Sequence, residues 1–134
     1  MRAFVLTSLL VLGAATANAA NGIDVKPGPD ATEFGSCVPS LVVENKSAQA
    51  IDFLEVQLVV ALRNGQERTL ELRSAYRGGV PRPIVPGATA TLKQQPDLAP
   101  SLGVACSEVA SRRVGRTICE AAGTACASSV SIQP

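Results

Sequence analysis

The chain has 134 residues, 46% hydrophobic and 17% charged, with 12 basic and 11 acidic side chains and a formal charge of +1. It contains four Cys, no His, no Trp, and one Met, which is the initiator. Without imidazole there is no Ser-His or Cys-His catalysis, no His metal ligand and no His switch near neutral pH, and the length allows one ordinary domain.

Met1-Arg2 is a short positive segment, Ala3 to Ala15 is mostly apolar, and Ala17-Asn18-Ala19 sets small residues where a signal peptidase reads. This pattern predicts a secretory signal over residues 1–19, cleaved after Ala19. Thr7, Ser8, Thr16 and Asn18 interrupt the apolar run, which is shorter than the roughly 20 residues a spanning helix needs. No second run of that length follows, so no membrane insertion is expected after cleavage. Loss of Arg2 balances the charges at 11 basic and 11 acidic. A nucleic-acid binder carries a basic excess and a membrane-surface helix a basic amphipathic stretch. The chain has neither, so neither partner is expected.

Residues 20–36 are rich in Gly, Pro and Asp and read as a loosely ordered arm, with one edge strand near Ile23-Asp24-Val25. The domain proper is expected over 37–134. Leu41-Val42-Val43 is a short β-branched run ending in the polar turn Glu44-Asn45-Lys46-Ser47. Asn45-Lys46-Ser47 also has the form of a glycosylation sequon, but the signal and the Ala-rich composition look bacterial, so the triplet reads as turn chemistry. From Phe53 to Leu62, Leu54, Val56, Leu58, Val60 and Leu62 alternate with Glu55, Gln57, Val59 and Ala61, a strand with one face in a core. Ile51 and Phe53 lie on the opposite phase, which predicts a bulge or a change of packing face near Phe53.

Asn64-Gly65 then signals a hairpin. A two-residue loop would turn Leu70 and Leu72 away from the face of Leu58 and Val60. A three-residue loop with Gly65 left-handed keeps all four on one face, pairing Val60 with Leu70 and Leu58 with Leu72. The odd-length loop is therefore expected. Residues 75–87, with Gly78, Gly79, Pro81, Pro83, Pro86 and Gly87, are too broken for a central strand. Ala88 to Leu92 resumes as a strand, 96–103 is irregular, and Val109–Glu120 and Ala125–Ile132 make the last two strands around an Ala122-Gly123 turn. No long 3.6-residue period appears. Short strands between Gly/Pro turns predict an all-β fold, an immunoglobulin/fibronectin-III-like antiparallel β-sandwich.

Cys37, Cys106, Cys119 and Cys126, an even set behind a signal, predict two disulfides in an oxidising compartment. The spacings of 69, 13 and 7 lack the close pairs of a zinc site, and no His is present to activate a thiol. The expected pairs are Cys119–Cys126, whose positions agree with the Ala122-Gly123 register, and Cys37–Cys106. No metal or other cofactor is expected.

Val42-Val43-Glu44-Asn45-Lys46-Ser47, the long alternating strand, Asn64-Gly65, and Ile84-Val85-Pro86-Gly87-Ala88-Thr89-Ala90-Thr91-Leu92 together resemble small bacterial secreted immunoglobulin-like or fibronectin-III-like domains. Among these the chain is similar to the interleukin-receptor-mimic family of small exported proteins. The resemblance covers roughly Leu41 to Leu92 and implies protein binding, without assigning binding residues.

Arg112, Arg113 and Arg116, with Arg77 and Arg82 of the 75–87 loop, could clamp an anion or carboxylate; arginines on an outward strand face also simply keep a domain soluble. Tyr76 in the same loop could serve the core or a contact patch. The carboxylate pairs Asp52/Glu55 and Glu67/Glu71 are expected on a solvent face with no cleft, and Arg77-Gly78-Gly79 lacks the Lys-Ser/Thr and helix of a phosphate loop. Scarce aromatics argue against a lectin, and absent Met and His against copper handling. The expected function is an exported, non-catalytic protein-binding module of the periplasm or exterior, contacting another protein through Tyr76, Arg77, Arg82, Arg112, Arg113 and Arg116. A fimbrial-like structural subunit is the alternative, and an exposed edge strand could pair two copies as a homodimer.

Overall fold

Strand alternation dictates the frame. The structure, a computed structural model, describes residues 22–74, 76–77, 80–94 and 102–133, with the side chains of 76, 77, 80 and 81 outside the description. The expected signal over 1–19 therefore lies outside the described residues. The strands are β1 (Ile23–Pro27), β2 (Ala31–Glu33), β3 (Ser36–Val38), β4 (Ser40–Asn45), β5 (Phe53–Leu62), β6 (Glu67–Arg73), β7 (Tyr76–Arg77), β8 (Val80–Pro81), β9 (Thr89–Gln94), β10 (Val109–Ala121), β11 (Thr124–Ala125) and β12 (Val130–Ile132). Two 3-10 turns, η1 (Cys106–Glu108) and η2 (Ala127–Ser129), join them. Among the described residues there is no α-helix, and no helix is long and apolar enough to cross a membrane.

Eight strands form one curled sheet in the order β11-β10-β5-β6-β9-β4-β1-β12, while β2–β3 and β7–β8 are separate hairpins. The fold is thus all-β with two disulfides, but hydrogen bonding runs continuously through what was expected to be two sheets. The weakest seam is β6–β9, which joins by only Leu72↔Gln94 and Arg73↔Lys93. Curling brings the apolar faces of both halves into one core. Val25, Val43 and Leu92 on one side and Leu54, Val56, Val60 and Leu72 on the other are all fully buried in the same cluster.

The β5–β6 hairpin has the expected odd-length loop. The Gly65 N–H donates to the Leu62 carbonyl (3.0 Å) and the Leu62 N–H to the Gln66 carbonyl (2.8 Å), so the loop is Arg63-Asn64-Gly65. Gly65 has φ +85°, the left-handed position such loops require. The leucines share the core face as expected, but the register is Leu58↔Leu70 and Val56↔Leu72, two residues from the expected pairing. The loop begins one residue earlier than expected, and each such step moves a register by two. Ile51 is fully buried through an isolated bridge to Ile84, ahead of Leu54. The apolar phase therefore changes there as expected.

Two expectations need correction. Within the stretch expected as a loose arm over 20–36, the described residues 22–36 are ordered into the fold: β1 pairs antiparallel with β4 and parallel with β12, and Ile23 and Val25 are buried. Two apolar residues at strand spacing were enough to enter the core despite the Gly/Pro flanks. The final strand is not continuous over 125–132. It breaks at η2, which lets the chain leave the β10–β11 hairpin and cross to β1.

Both cysteine pairs are as expected. Cys37–Cys106 bridges β3 and η1, and Cys119–Cys126 spans the β10–β11 hairpin. There Glu120↔Ala125 and Ala121↔Thr124 flank a turn in which Ala122 and Gly123 both have positive φ.

Candidate functional site

The curled sheet does not close on itself. One boundary is β12. The other is β10, whose outer side is covered, among the described residues, by β11 at Glu120 and Ala121 and by the Cys126 N–H, which donates to the Cys119 carbonyl (2.9 Å). At the Ala121 end, η2 packs against β10. Beyond it, no strand among the described residues pairs with the outer edge of β10, which bears Arg112, Arg113 and Arg116.

Two bulges control where those arginines point. The β10–β5 register slips by one residue between Val109 and Ser111 and again between Val114 and Thr117. Each extra residue inverts the facing of the strand beyond it. Consequently Arg112 lies opposite Val60 and Val114 opposite Leu58, on the core side, while Arg113 lies opposite Val59 on the outer side. Arg112 thus lies on the core side of β10 rather than on an outward, merely solubilising face. Gly115 sits in the second bulge, where an added Cβ would meet Gln57 at 3.4 Å.

Arg112 reaches across the open side of the sheet to Asp30, at the entry to β2, and grips its carboxylate through two hydrogen bonds, at 2.6 and 2.5 Å. This hydrogen bonding holds the Asp30 carboxyl below its ordinary range, against a smaller opposing push from burial, and raises Arg112. Below the bridge lies a cleft of about 330 Å³ whose walls include Leu41, Leu58, Val114 and Ile132, with Arg112 and Arg113 at its rim. It is a predominantly apolar recess, with wall residues from both halves of the sheet.

Asp30 also anchors a projecting element. The β2–β3 hairpin pairs Ala31↔Val38, Thr32↔Cys37 and Glu33↔Ser36, leaving Phe34-Gly35 as a two-residue turn. Phe34 has φ +50° and Gly35 φ +76°, the pair of left-handed positions that Asn-Gly normally fills. A bulky side chain there is locally unfavourable. The Phe34 side chain recovers nothing by packing, since the residue is fully exposed at 107%. Sequence reasoning did not single Phe34 out; the signal was Phe-Gly set between Thr32-Glu33 and Ser36-Cys37, a hairpin turn with an aromatic where a polar residue belongs.

The structure brings Arg112 and Arg113 to one cleft and places Arg116 farther along the same edge. Arg113 is largely exposed and 3.5 Å from Glu67. Arg82 is exposed and is not part of the cleft wall. Tyr76 and Arg77 pair with Pro81 and Val80, and their side chains lie outside the described residues. Of the acidic pairs, Glu55 is buried rather than solvent-facing, bonded to Arg73 at 2.6 Å, and Arg73 also holds Glu71 at 2.9 Å. Asp52 caps the β10–β11 turn by accepting the Ala122 N–H (2.9 Å). Asp30 approaches the sulfurs of Cys37 and Cys106, but those sulfurs are bonded to each other and offer no thiolate to a metal.

No family model matches the chain, and no curated protein matches it. Among solved structures it is similar to IrmA from Escherichia coli, with a TM-score of 0.53 and 15% identity over 84% of this chain and 91% of that one. At that identity the likeness speaks for the fold alone.

Proposed function

We propose that the protein is an exported, non-catalytic protein-binding module that meets its partner through the Phe34 turn and the arginine-rimmed cleft beside it. One observation carries this reading. A fully exposed phenylalanine occupies a left-handed turn position that disfavours it and packs against nothing among the described residues. Aromatics of this kind act as anchors in partner pockets, and local strain without a packing return points to a role outside the fold. Export is supported by the N-terminal pattern of residues 1–19 and by the two disulfides. We read the curled sheet as a fibronectin-III-like sandwich, its layers β12-β1-β4-β9 and β6-β5-β10-β11 meeting at the two-pair seam. The resemblance to the interleukin-receptor-mimic family supports the same trade. Against the fimbrial-like alternative, β1 is held between β4 and β12 of its own chain rather than free for donation.

The test is capture of partners from periplasm and culture medium by wild type, by Phe34→Asn and by a Tyr76/Arg77/Arg82 triple Ala variant. Asn suits the left-handed turn better than Phe, so Phe34→Asn should fold at least as well. It should nevertheless recover much less partner. Undiminished capture by Phe34→Asn overturns the anchor, and loss only in the triple variant moves the contact to the 75–87 loop.

A further inference from the structure

We infer that the free edge of β10 takes up an extended partner segment in which apolar and acidic residues alternate, adding it to the sheet as a further strand. This rests on the protein-binding reading and names the partner's chemistry. Three observations carry it. First, β10 runs for 13 residues, and among the described residues only Cys119, Glu120 and Ala121 are paired on its outer side; no described strand pairs with the remainder of that edge, the template for strand addition. Second, an added strand continues the two faces of β10, because successive side chains point to opposite sides. One set would lie on the core side beside Val114, over the cleft walled by Leu41, Leu58 and Ile132, and apolar side chains fit there. The other set would lie on the outer side beside Arg113, which is 63% exposed and only loosely held by Glu67 at 3.5 Å, and carboxylates fit there. Third, Arg113 and Arg116 make the edge basic within a chain of nearly balanced charge, while Arg112 beside them is already held by Asp30.

The same charges argue against other occupants. A second copy pairing β10 against β10 would oppose arginine to arginine, which is destabilising for directly facing strand neighbours. Residues 1–21 of this chain contain no Asp or Glu and residues 95–101 only Asp97, so neither segment supplies an acidic alternation. A partner with acidic alternation remains.

The experiment uses the folded protein and a fluorescein-labelled peptide, Gly-Val-Glu-Val-Glu-Val-Glu-Val-Gly. Controls carry Lys at the Glu positions, or Pro in place of the two Val that flank the central Glu. Anisotropy reads binding, and amide hydrogen exchange reads where it occurs. The Glu peptide should bind, weaken as salt is raised and protect amides within 111–118. The Lys and Pro peptides should not bind, and an Arg113→Glu/Arg116→Glu variant should lose about tenfold or more in affinity, as reversing paired charges does. Equal binding of the Lys peptide, binding without protection of β10, or no binding overturns the proposal. So does protection of 111–118 without peptide, either in a concentration-dependent dimer (a second copy) or at every concentration (the chain's own segment). If Phe34→Asn still abolishes partner capture while the peptide fails, only the edge proposal falls. If capture is indifferent to Phe34, the anchor reading falls instead.

Discussion

Asn45 offers the sharpest test of how this fold is held. Its residue is fully buried, in a ladder position opposite Ile23 of β1. Its Nδ2 donates to the Gln49 and Ile84 carbonyls, both at 2.8 Å, and its Oδ1 accepts from the Ser47 N–H (3.0 Å) and the Ser47 hydroxyl (2.6 Å). The side chain therefore ties the β4 turn to the Ile51–Ile84 bridge. In Asn45→Ala the Ile84 carbonyl still accepts from the Ile51 N–H, and the Gln49 carbonyl from the Ser47 hydroxyl, so neither is orphaned. With about 0.5–1.5 kcal/mol net per hydrogen bond and four bonds lost, the cost should come to about 2–6 kcal/mol. Asn45→Asp keeps the shape but aims a carboxylate oxygen at two carbonyl oxygens in a buried site, and should cost more than Ala at neutral pH. Its carboxyl would titrate above the unfolded value, so the deficit should shrink as pH falls toward 4. The chain has no Trp, so urea unfolding is best followed by far-ultraviolet circular dichroism. With a slope of about 1.5 kcal/mol/M, a loss of 3 kcal/mol lowers the midpoint by about 2 M. An Asn45→Asp midpoint at or above that of Asn45→Ala at pH 7 would refute the argument.

The geometry sets three other outcomes. By loop-closure entropy, removing Cys37–Cys106, with a separation of 69, should cost about 4 kcal/mol, and removing Cys119–Cys126, with a separation of 7, about 2.5 kcal/mol; paired Cys→Ser variants compared by denaturant unfolding would show whether the longer loop matters more. Because Arg112 depresses the Asp30 carboxyl, the pair contributes above the unfolded pKa of about 3.9 and is lost as pH falls through the lower folded value. Both side chains keep solvent contact, so Asp30→Asn should cost under about 1 kcal/mol at pH 7, and should flatten the acid limb of stability against pH. Gly65→Ala should cost about 1–2 kcal/mol although no atom lies within 4 Å of the added Cβ, because the left-handed backbone alone penalises it; an unchanged melting midpoint would contradict that.

The features legible in the sequence are those whose cause is local. Alternation from Leu54 to Leu62 marks β5 with its observed bounds, since a strand half in a core must alternate. Asn64-Gly65 announces its hairpin, and parity alone demands an odd loop, because an even one would divide the leucines of β5 and β6 between two faces. The spacing of Cys119 and Cys126 around Ala122-Gly123 leads to their disulfide by counting outward from the turn. Asn45-Lys46-Ser47 reads correctly as turn chemistry, although nothing in the triplet shows that Asn45 is buried. What could not be read depends on distant chain. β1 looks loose because its flanks are Gly and Pro, yet its place between β4 and β12 is set by residues some hundred positions later. Glu55 looks like a solvent-facing carboxylate, yet Arg73, 18 residues on, lets it be buried.

The sequence names Arg112, Arg113 and Arg116 as candidates, but how the candidate site arranges them escaped it for a related reason. Period-two reading of β10 assigns Arg112 and Val114 to one face and Arg113 to the other, but cannot say which face is inward. Two inserted residues decide it, and a bulge leaves only a faint mark in composition: Gly115 at the second, nothing distinctive at Ala110. Had β10 run without the second slip, the phase that carries Cys119 and Ala121 inward would instead have brought Arg113 to the core side, and moved Arg112 and Val114 out. Arg112 could not then have reached inward to Asp30, and the cleft would have lost the apolar wall that Val114 provides. The bulges thus let one strand do two incompatible things: seal the core at its Cys119 end, and expose a charged, unpaired edge beside an apolar recess at its Arg112 end. A strand serving stability alone has no need of that division, and it is on that division that the proposed recognition by β10 rests.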